Sequence, residues 1–415
     1  MNRVYFHTFG CKVNISEVEQ LRDKALKKGL LCVDRLDDAD IVIINSCAVT
    51  QNAEKKCRDF IKKIKRNYDK KVVVTGCFAS VLDDESKQYV DLVVENAEKL
   101  QVLDKISLYF DLEYCSSFEN MARVSGYDKT RAFLKIQDGC DSFCSYCIIP
   151  YLRGKPKSKR VDEVLEELDH LISRGFKEIV LVGIHIGKYG QDIGVDLKYL
   201  LERIIQRLSN GVRIRLSSLD VGEIDDELID MVKNSNGKIC NHFHISLQSG
   251  SDKILKAMNR NYCREDFIKI CNRIKENIDD ARIGSDVIVG FPGETDEDFE
   301  DTIDAIVNGG VDFLHVFSYS KREGTKAYNM SNHIPKKIKE QRAKRLREMG
   351  RTLKEEAERK MVGKIVSVLV ESGGGGHTSN YHYVIIDGEN VKRNELYKVE
   401  IMDRNKNGLV GVIVE

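Results

Sequence analysis

The segment Asp138-Gly139-Cys140-Asp141-Ser142-Phe143-Cys144-Ser145-Tyr146-Cys147 sets three cysteines at C-x3-C-x2-C spacing in a short loop. A tetrahedral zinc site wants four ligands. An iron–sulfur cube also has four corners, each normally closed by a thiolate. Cys140, Cys144 and Cys147 therefore suggest a cube with one iron left open to something exogenous. The alternative is three unrelated buried thiols, since free cysteine is among the most buried residue types. Such thiols have no reason to crowd one glycine-flanked loop.

Three more cysteines each follow an apolar run. Cys11 comes after Val4-Tyr5-Phe6, Cys47 after Ile41-Val42-Ile43-Ile44, and Cys77 after Val72-Val73-Val74. If those runs are strands of one parallel sheet, their ends share the edge where ligands bind. Cys11, Cys47 and Cys77 are then expected to converge; otherwise they are three core cysteines. Cys32, Cys57, Cys115, Cys240, Cys263 and Cys271 show no paired spacing and read as structural or free thiols.

The chain has 415 residues, enough for two or three domains. Its 66 basic and 66 acidic residues cancel, so affinity for nucleic acid could come only from local patches. No run of eighteen apolar residues exists, and the N-terminal apolar stretch is too short for a signal peptide. A cytoplasmic protein with no membrane partner is expected. In that compartment the twelve cysteines read as ligands and free thiols, not disulfides.

The elements that must position these residues follow from periodicity. Residues 1–115 alternate near-continuous apolar strands with helices, which predicts a parallel α/β domain covered on both faces. Residues 116–130 are polar and aperiodic and read as a linker. Six strand–helix units then follow within a domain spanning 131–362. Their strands are expected at 132–136, 178–183, 212–217, 242–247, 282–289 and 311–317. Six such units predict a partial (β/α)6 TIM-type barrel with its function at the C-terminal strand ends. Pro335 opens a long helix. From Lys336 to Lys364 there are 12 basic and 5 acidic residues, either a solvated face or an RNA contact. Residues 363–415 predict a small OB-like β-barrel, with Gly373 to Gly376 as a flexible loop. His377, Tyr381, His382 and Tyr383 offer rings that could stack on bases, unless the module is a structural cap.

Taken together, the chain resembles the radical S-adenosylmethionine (SAM) methylthiotransferases over essentially its whole length. Thr8-Phe9-Gly10-Cys11-Lys12-Val13-Asn14 and Asn45-Ser46-Cys47-Ala48-Val49-Thr50 are similar to that family's N-terminal domain. Gln137-Asp138-Gly139-Cys140 through Tyr146-Cys147-Ile148-Ile149-Pro150-Tyr151 is similar to its radical SAM signature. Gly376-His377-Thr378-Ser379-Asn380-Tyr381 resembles its RNA-binding TRAM domain. Gly10-Cys11-Lys12-Val13-Asn14 and Ile184-His185-Ile186-Gly187 look most like the branch acting on threonylcarbamoyladenosine in tRNA, the MtaB type. The family usually has proline where Ser246 stands and arginine where Lys157 and Lys159 stand.

The resemblance implies two [4Fe-4S] clusters, one on each cysteine triad, and two molecules of SAM per turnover. One SAM would methylate a cluster-borne sulfur. The other would be cleaved to a radical that activates C2–H of the adenosine at position 37, in the anticodon loop. It implies SAM contacts from Tyr146, Gly183, Ser217, Gln248, Arg260 and Asp286, with Arg260 pairing the SAM carboxylate. The alternative for Gln248 and Ser217 is ordinary strand-end residues. His377, Asn380 and Tyr381 would meet RNA, and an electron donor such as flavodoxin or ferredoxin would serve the reaction. His185, His244 and His315 read as hydrogen-bonded wall residues more readily than as metal ligands. The same chemistry on isopentenyladenosine or on a ribosomal protein is the nearer alternative. A non-catalytic iron–sulfur RNA-binding protein is the distant one.

Overall fold

The computed structural model describes residues 2–112, 130–388 and 390–414. The expected linker thus lies outside the described residues, Thr130 apart, and so does Cys115.

The N-terminal region runs β1 (Arg3–Thr8), α1 (Lys12–Lys27), β2 (Leu31–Val33), β3 (Ile41–Ser46), α2 (Gln51–Asn67), β4 (Lys71–Gly76), α3 (Asp84–Lys87), β5 (Leu92–Val93) and α4 (Val102–Phe110). The strands form one parallel sheet in the order β2-β1-β3-β4-β5. β3 is buried at every position, which is why its sequence is a continuous apolar run instead of an alternating one. Val18, Leu21 and Ile106 cover one face of the sheet, and Cys57, Ile61 and Ile64 of α2 cover the other. Cys57 is therefore a core residue, as its spacing suggested. Thr50 Oγ1 accepts from the Ala53 N–H at 3.1 Å and fixes where α2 begins.

The central region runs β6 (Arg131–Lys135), β7 (Gln137–Asp138), α5 (Ile149–Arg153), β8 (Lys157–Ser158), α6 (Val161–Ser173), β9 (Glu178–Val182), α7 (Leu197–Arg207) and β10 (Arg213–Leu216). It continues with α8 (Asp226–Lys233), β11 (His242–Gln248), α9 (Asp252–Ala257), α10 (Arg264–Asn277), β12 (Arg282–Val289), α11 (Asp296–Asn308), β13 (Phe313–Ser318) and α12 (Lys336–Arg359). The six expected strands are β6, β9, β10, β11, β12 and β13. They pair in parallel as two three-stranded sheets, joined among the described residues through the bridges Ile214–Ile239 and Leu219–Ile245. β6 and β13 each pair with a single strand of the arc, so the barrel stays open between them. Ile179, Leu181, Ile214, Leu216, Phe243, Ile245 and Ile283 join the core under the helices. Strand alternation turns Val180, Val182, Arg213, Arg215, His242, His244 and Asp286 onto the concave face. The antiparallel pair β7–β8 brackets the thiol loop and had no signal in the sequence.

The C-terminal region is a closed five-stranded barrel of β14 (Ile365–Val370), β15 (Gly375–Thr378), β16 (Tyr383–Asp387), β17 (Leu396–Asn405) and β18 (Gly408–Ile413). Val368, Val370, Val384, Ile386, Val399, Ile401 and Leu409 fill it. The expected flexible loop at Gly373 to Gly376 is corrected here, because Gly375 and Gly376 belong to β15. A Cβ on Gly376 would stand 1.8 Å from the Leu369 carbonyl oxygen, so the glycine serves close backbone approach, not mobility. Among the described residues no helix is long and apolar enough to cross a membrane.

Candidate active site

Cys11 is the N-cap of α1, Cys47 follows β3, and Cys77 follows β4. The register sets Ser46 opposite Gly76, so the ends of β3 and β4 are level. Asn14 Nδ2 donates to the Phe9 and Ser46 carbonyls at 2.8 and 3.0 Å and ties the β1 turn to the end of β3. Gly10, at φ +100°, carries the chain directly over Cys47; a Cβ there would lie 2.6 Å from the Cys47 sulfur. Burial pushes the Cys47 thiol up to about 11, and the neighbouring Cys11 and Cys77 add to the rise. The three cysteines do converge.

Arg153 closes this triad from the other side. It ends α5, just past the central thiol loop, and its side chain is fully buried. Nε donates to Cys77 Sγ at 3.1 Å, and Nη2 donates to Asn14 Oδ1 at 2.7 Å. Nη1 donates to Glu17 at 3.0 Å and to Asp138 at 2.9 Å. Lys99 reaches Glu17 at 2.5 Å, and Lys135 reaches Asp138 at 2.6 Å. Burial pushes the Glu17 carboxyl up, but Arg153, Lys135 and Lys99 outweigh it and hold it at about 2. Three cations face two carboxylates, leaving positive charge beside the thiols. Thiolate ligands need such a neighbour, so the donor set fits a metal cluster. Arg153 and Glu17 carry no sequence pattern that would have singled them out.

The second triad sits in the loop between β7 and α5. The Cys140 N–H donates to the Gly154 carbonyl at 3.0 Å, and the Cys147 N–H to the Cys144 carbonyl at 2.9 Å. The end of α9 clamps the loop. The Ser145 N–H donates to the Met258 carbonyl at 2.9 Å, and Asn259 Nδ2 to the Ser142 carbonyl at 2.9 Å. Arg260 Nη1 donates to Cys144 Sγ at 3.3 Å, Nε to the Tyr262 hydroxyl at 3.1 Å, and Nη2 pairs with Asp220. His185 Nδ1 lies 3.5 Å from Cys140 Sγ, and its Nε2 pairs with Glu223. Burial opposes charge on that ring, but Cys140, Glu223 and Asp220 outweigh it and hold His185 up at about 10. Burial lifts the Cys147 thiol to about 12, and Cys144 and Cys140 contribute. Cys147 packs against the same apolar cluster that contains Cys77, so one cysteine of each triad borders that cluster.

The other expected cofactor residues gather around this loop and the concave face. Tyr146 packs against Ile254, Met258, Phe291, Tyr319 and Ala327. Gly183 follows β9 and backs onto Gln137, whose Oε1 accepts from the His185 N–H at 2.8 Å. Ser217 follows β10, and its N–H donates to the Leu181 carbonyl at 3.3 Å. Gln248 ends β11 at a register shift, in the left-handed conformation at φ +62°. Asp286 lies within β12, 2.9 Å from His244 Nε2 and 3.2 Å from His315 Nδ1. Burial pushes its carboxyl up, yet the two histidines hold it below the usual carboxylate range.

In the C-terminal barrel, Tyr381 stacks on His377 with centroids 4.6 Å apart, and the Arg215 guanidinium lies 4.8 Å from the Tyr381 ring. Asn380 departs from its expected RNA-facing place. It is 4% exposed, and its Nδ2 donates to the Asp280 carbonyl at 3.0 Å, fastening the barrel to the central region.

Residues 134–306 match the Radical SAM superfamily, and residues 3–95 match Uncharacterized protein family UPF0004. The threonylcarbamoyladenosine tRNA methylthiotransferase MtaB of Rickettsia prowazekii is 38% identical over 410 residues, covering 95% of this chain and 94% of that protein. MtaB of Bacillus subtilis is 36% identical over 97% of this chain and 94% of that protein. The chain belongs to the radical SAM methylthiotransferase family. The tRNA-2-methylthio-N(6)-dimethylallyladenosine synthase of Caldicellulosiruptor saccharolyticus is 32% identical over 98% of this chain and 91% of that protein. The radical SAM methyltransferase TsrM of Kitasatospora setae shares the fold at a TM-score of 0.57 and 14% identity, covering 76% of this chain and 73% of that one. As a radical SAM methylthiotransferase the chain is an enzyme that uses SAM and a [4Fe-4S] cluster.

Proposed function

We propose that this enzyme methylthiolates C2 of N6-threonylcarbamoyladenosine at position 37 of tRNA, using two SAM molecules and two [4Fe-4S] clusters. The observation that carries the reading is the pair of thiol triads linked through Arg153 and a shared apolar cluster, in a chain whose relatives are named for this modification. Cys140, Cys144 and Cys147 would hold one cluster and Cys11, Cys47 and Cys77 the other. When bound, the first supplies the electron that cleaves SAM, and the second supplies sulfur.

The chain's own residues hold and surround these groups. Arg153 offsets thiolate charge at the N-terminal triad, and Arg260 and His185 do so at the central one. Tyr146, Gly183, Ser217, Gln248, Arg260 and Asp286 would line the SAM and substrate space, with Arg260 pairing the SAM carboxylate. The N-terminal region covers the concave face through Val13 on Val180 and Val182 and through the Ser16 hydroxyl, which donates to the Phe133 carbonyl at 3.0 Å. Covering that face excludes water from the reaction.

RNA would approach through a cleft of about 770 Å³ between α12 and the C-terminal barrel. Lys344, Arg347, Arg351 and Lys354 line it together with His315, His377, Tyr381 and Tyr383. Arg342 and Arg345 point elsewhere, paired with Glu294 and Glu300 on the α11 side. The basic composition of α12 thus divides into a structural half and a cleft half. The cleft half suits phosphate, and the rings suit a splayed anticodon loop.

Residues 1–115, 131–362 and 363–415 would be the methylthiotransferase, radical SAM and TRAM domains, joined by the 116–130 linker. A low-potential donor such as flavodoxin or ferredoxin would supply electrons in the cytoplasm. Isopentenyladenosine is the second reading, favoured by the 32% identical dimethylallyladenosine relative. Reconstituted protein incubated with SAM, dithionite and an anticodon stem-loop separates the two. The stem-loop carrying threonylcarbamoyladenosine is expected to gain one methylthio group. Gain only by an isopentenyladenosine stem-loop would overturn the reading.

A further inference from the structure

The loop that carries Cys140, Cys144 and Cys147 turns one large apolar side chain outward. Phe143, directly before Cys144, is 41% exposed, and Tyr151 of α5 is 54% exposed. Their rings meet edge to face with centroids 5.6 Å apart. Among the described residues neither ring joins an apolar cluster of the core. Phe143 also stands at φ +46°, a left-handed conformation that is costly for a bulky residue. Asn259 Nδ2 holds that turn by donating to the Ser142 and Phe143 carbonyls at 2.9 and 3.2 Å. A strained turn that sets a phenyl ring in water does not stabilise the folded chain, but it suits contact with a second molecule. The flanks of the loop are basic. Lys155 follows Gly154, whose carbonyl accepts from the Cys140 N–H at 3.0 Å. Lys256 precedes Ala257, whose carbonyl accepts from the Ser145 hydroxyl at 2.8 Å. Both lysines are exposed, and neither makes an ion pair among the described residues. Asp141, the one acid between Gly139 and Ile148, is taken by Lys188. The basic cleft beside α12 is lined by neither ring.

We propose that the Phe143–Tyr151 ring pair, rimmed by Lys155 and Lys256, is the docking surface for an acidic protein that carries one electron to the central triad's cluster. The proposal rests on the two-cluster reading above. Each SAM cleaved consumes one electron, so the carrier is oxidised by one electron and the cluster reduced by one; no bond forms or breaks at this surface. Electron transfer between proteins weakens steeply with distance, so the carrier must dock where a ligand of the cluster nears the surface. Phe143 is one residue from such a ligand. Electron-transfer complexes bury little area, and a central aromatic anchor with a charged rim is sufficient for one. The rim lysines attract a carrier of opposite charge and speed its arrival.

The experiment follows the anisotropy of a labelled flavodoxin and a labelled ferredoxin, both of net negative charge, on binding to the reconstituted full-length protein. The unaltered protein is expected to bind at least one of them, more weakly as salt rises. Tyr151→Ser should weaken that binding about tenfold or more, and Tyr151→Phe by less than about twofold. Lys155→Glu with Lys256→Glu should weaken it about tenfold at low salt and flatten its salt dependence. Methylthiolation of an anticodon stem-loop driven by dithionite, and binding of that stem-loop, should both stay within about twofold in all three variants. Those two readouts also show that the variants are folded and loaded. Failure of the unaltered protein to bind either carrier overturns the proposal, as does undiminished binding by Tyr151→Ser. Weakened binding of the stem-loop by Tyr151→Ser also overturns it and would mark an RNA contact. Absence of dithionite-driven methylthiolation in the unaltered protein would instead sink the two-cluster reading.

Discussion

At the residue scale, the Arg153 guanidinium joins Cys77 of the N-terminal sheet to Asp138 beside the central thiol loop. Arg153→Leu removes the guanidinium's buried ion pairs with Glu17 and Asp138 and leaves an apolar side chain among charged ones. It is expected to cost about 3 kcal/mol or more in urea denaturation. Glu17 sets a pH dependence whose sign follows from its depressed folded pKa of about 2 against an ordinary value of 4.5. The stability it contributes is complete above the ordinary carboxyl range and is lost as pH falls through 4.5 toward 2. The melting temperature should therefore fall across that window, and Glu17→Gln, though less stable at neutral pH, should fall less steeply. At this scale the cysteines were legible because ligand spacing is local or recurs after each strand. Arg153, Glu17 and the Asp220–Glu223–His185 group were not, since each acquires meaning only when distant segments fold together.

At the scale of elements, the six central strands were legible almost to their ends. The run expected at 178–183 is β9 (Glu178–Val182), and that expected at 282–289 is β12 itself. Apolar strands between amphipathic helices leave little freedom. The thiol loop's β7–β8 pair was illegible because two-residue strands have no periodicity. β15 was mistaken for a flexible loop because glycine serves mobility and close approach equally well in sequence. Gly10 shows the second use at the site. Gly10→Ala would push the β1–α1 turn off Cys47 and spoil the N-terminal triad alone. Iron analysis after reconstitution should then find about four irons per chain against about eight for the unaltered protein. An unchanged iron count would mean that the turn does not shape the cluster site.

At the scale of the whole molecule, the C-terminal barrel is fastened to the floor of the partial barrel. Arg213 Nη2 and Arg215 Nη1 donate to the His377 and Ser379 carbonyls at 2.9 and 2.7 Å, and Arg282 Nη1 donates to the Tyr381 carbonyl at 2.5 Å. Glu178, fully buried between Arg213 and Arg215, anchors that contact. The small barrel and α12 therefore present one fixed basic cleft. Arg347→Glu with Arg351→Glu should weaken tRNA binding and lower the slope of log affinity against log salt by about two. Sequence composition showed that α12 was basic but not which half faces the cleft, because that depends on the acids of α11.

The most direct measurement is mass spectrometry of tRNA nucleosides from a strain lacking this gene. The strain is complemented with the intact gene, with Cys77→Ala, or with Cys144→Ala. We expect 2-methylthio-N6-threonylcarbamoyladenosine to return only with the intact gene, because each triad is required. Its return with Cys77→Ala would contradict the role of the N-terminal triad. Restoration of the isopentenyl derivative alone, or of no methylthio nucleoside, would contradict the substrate.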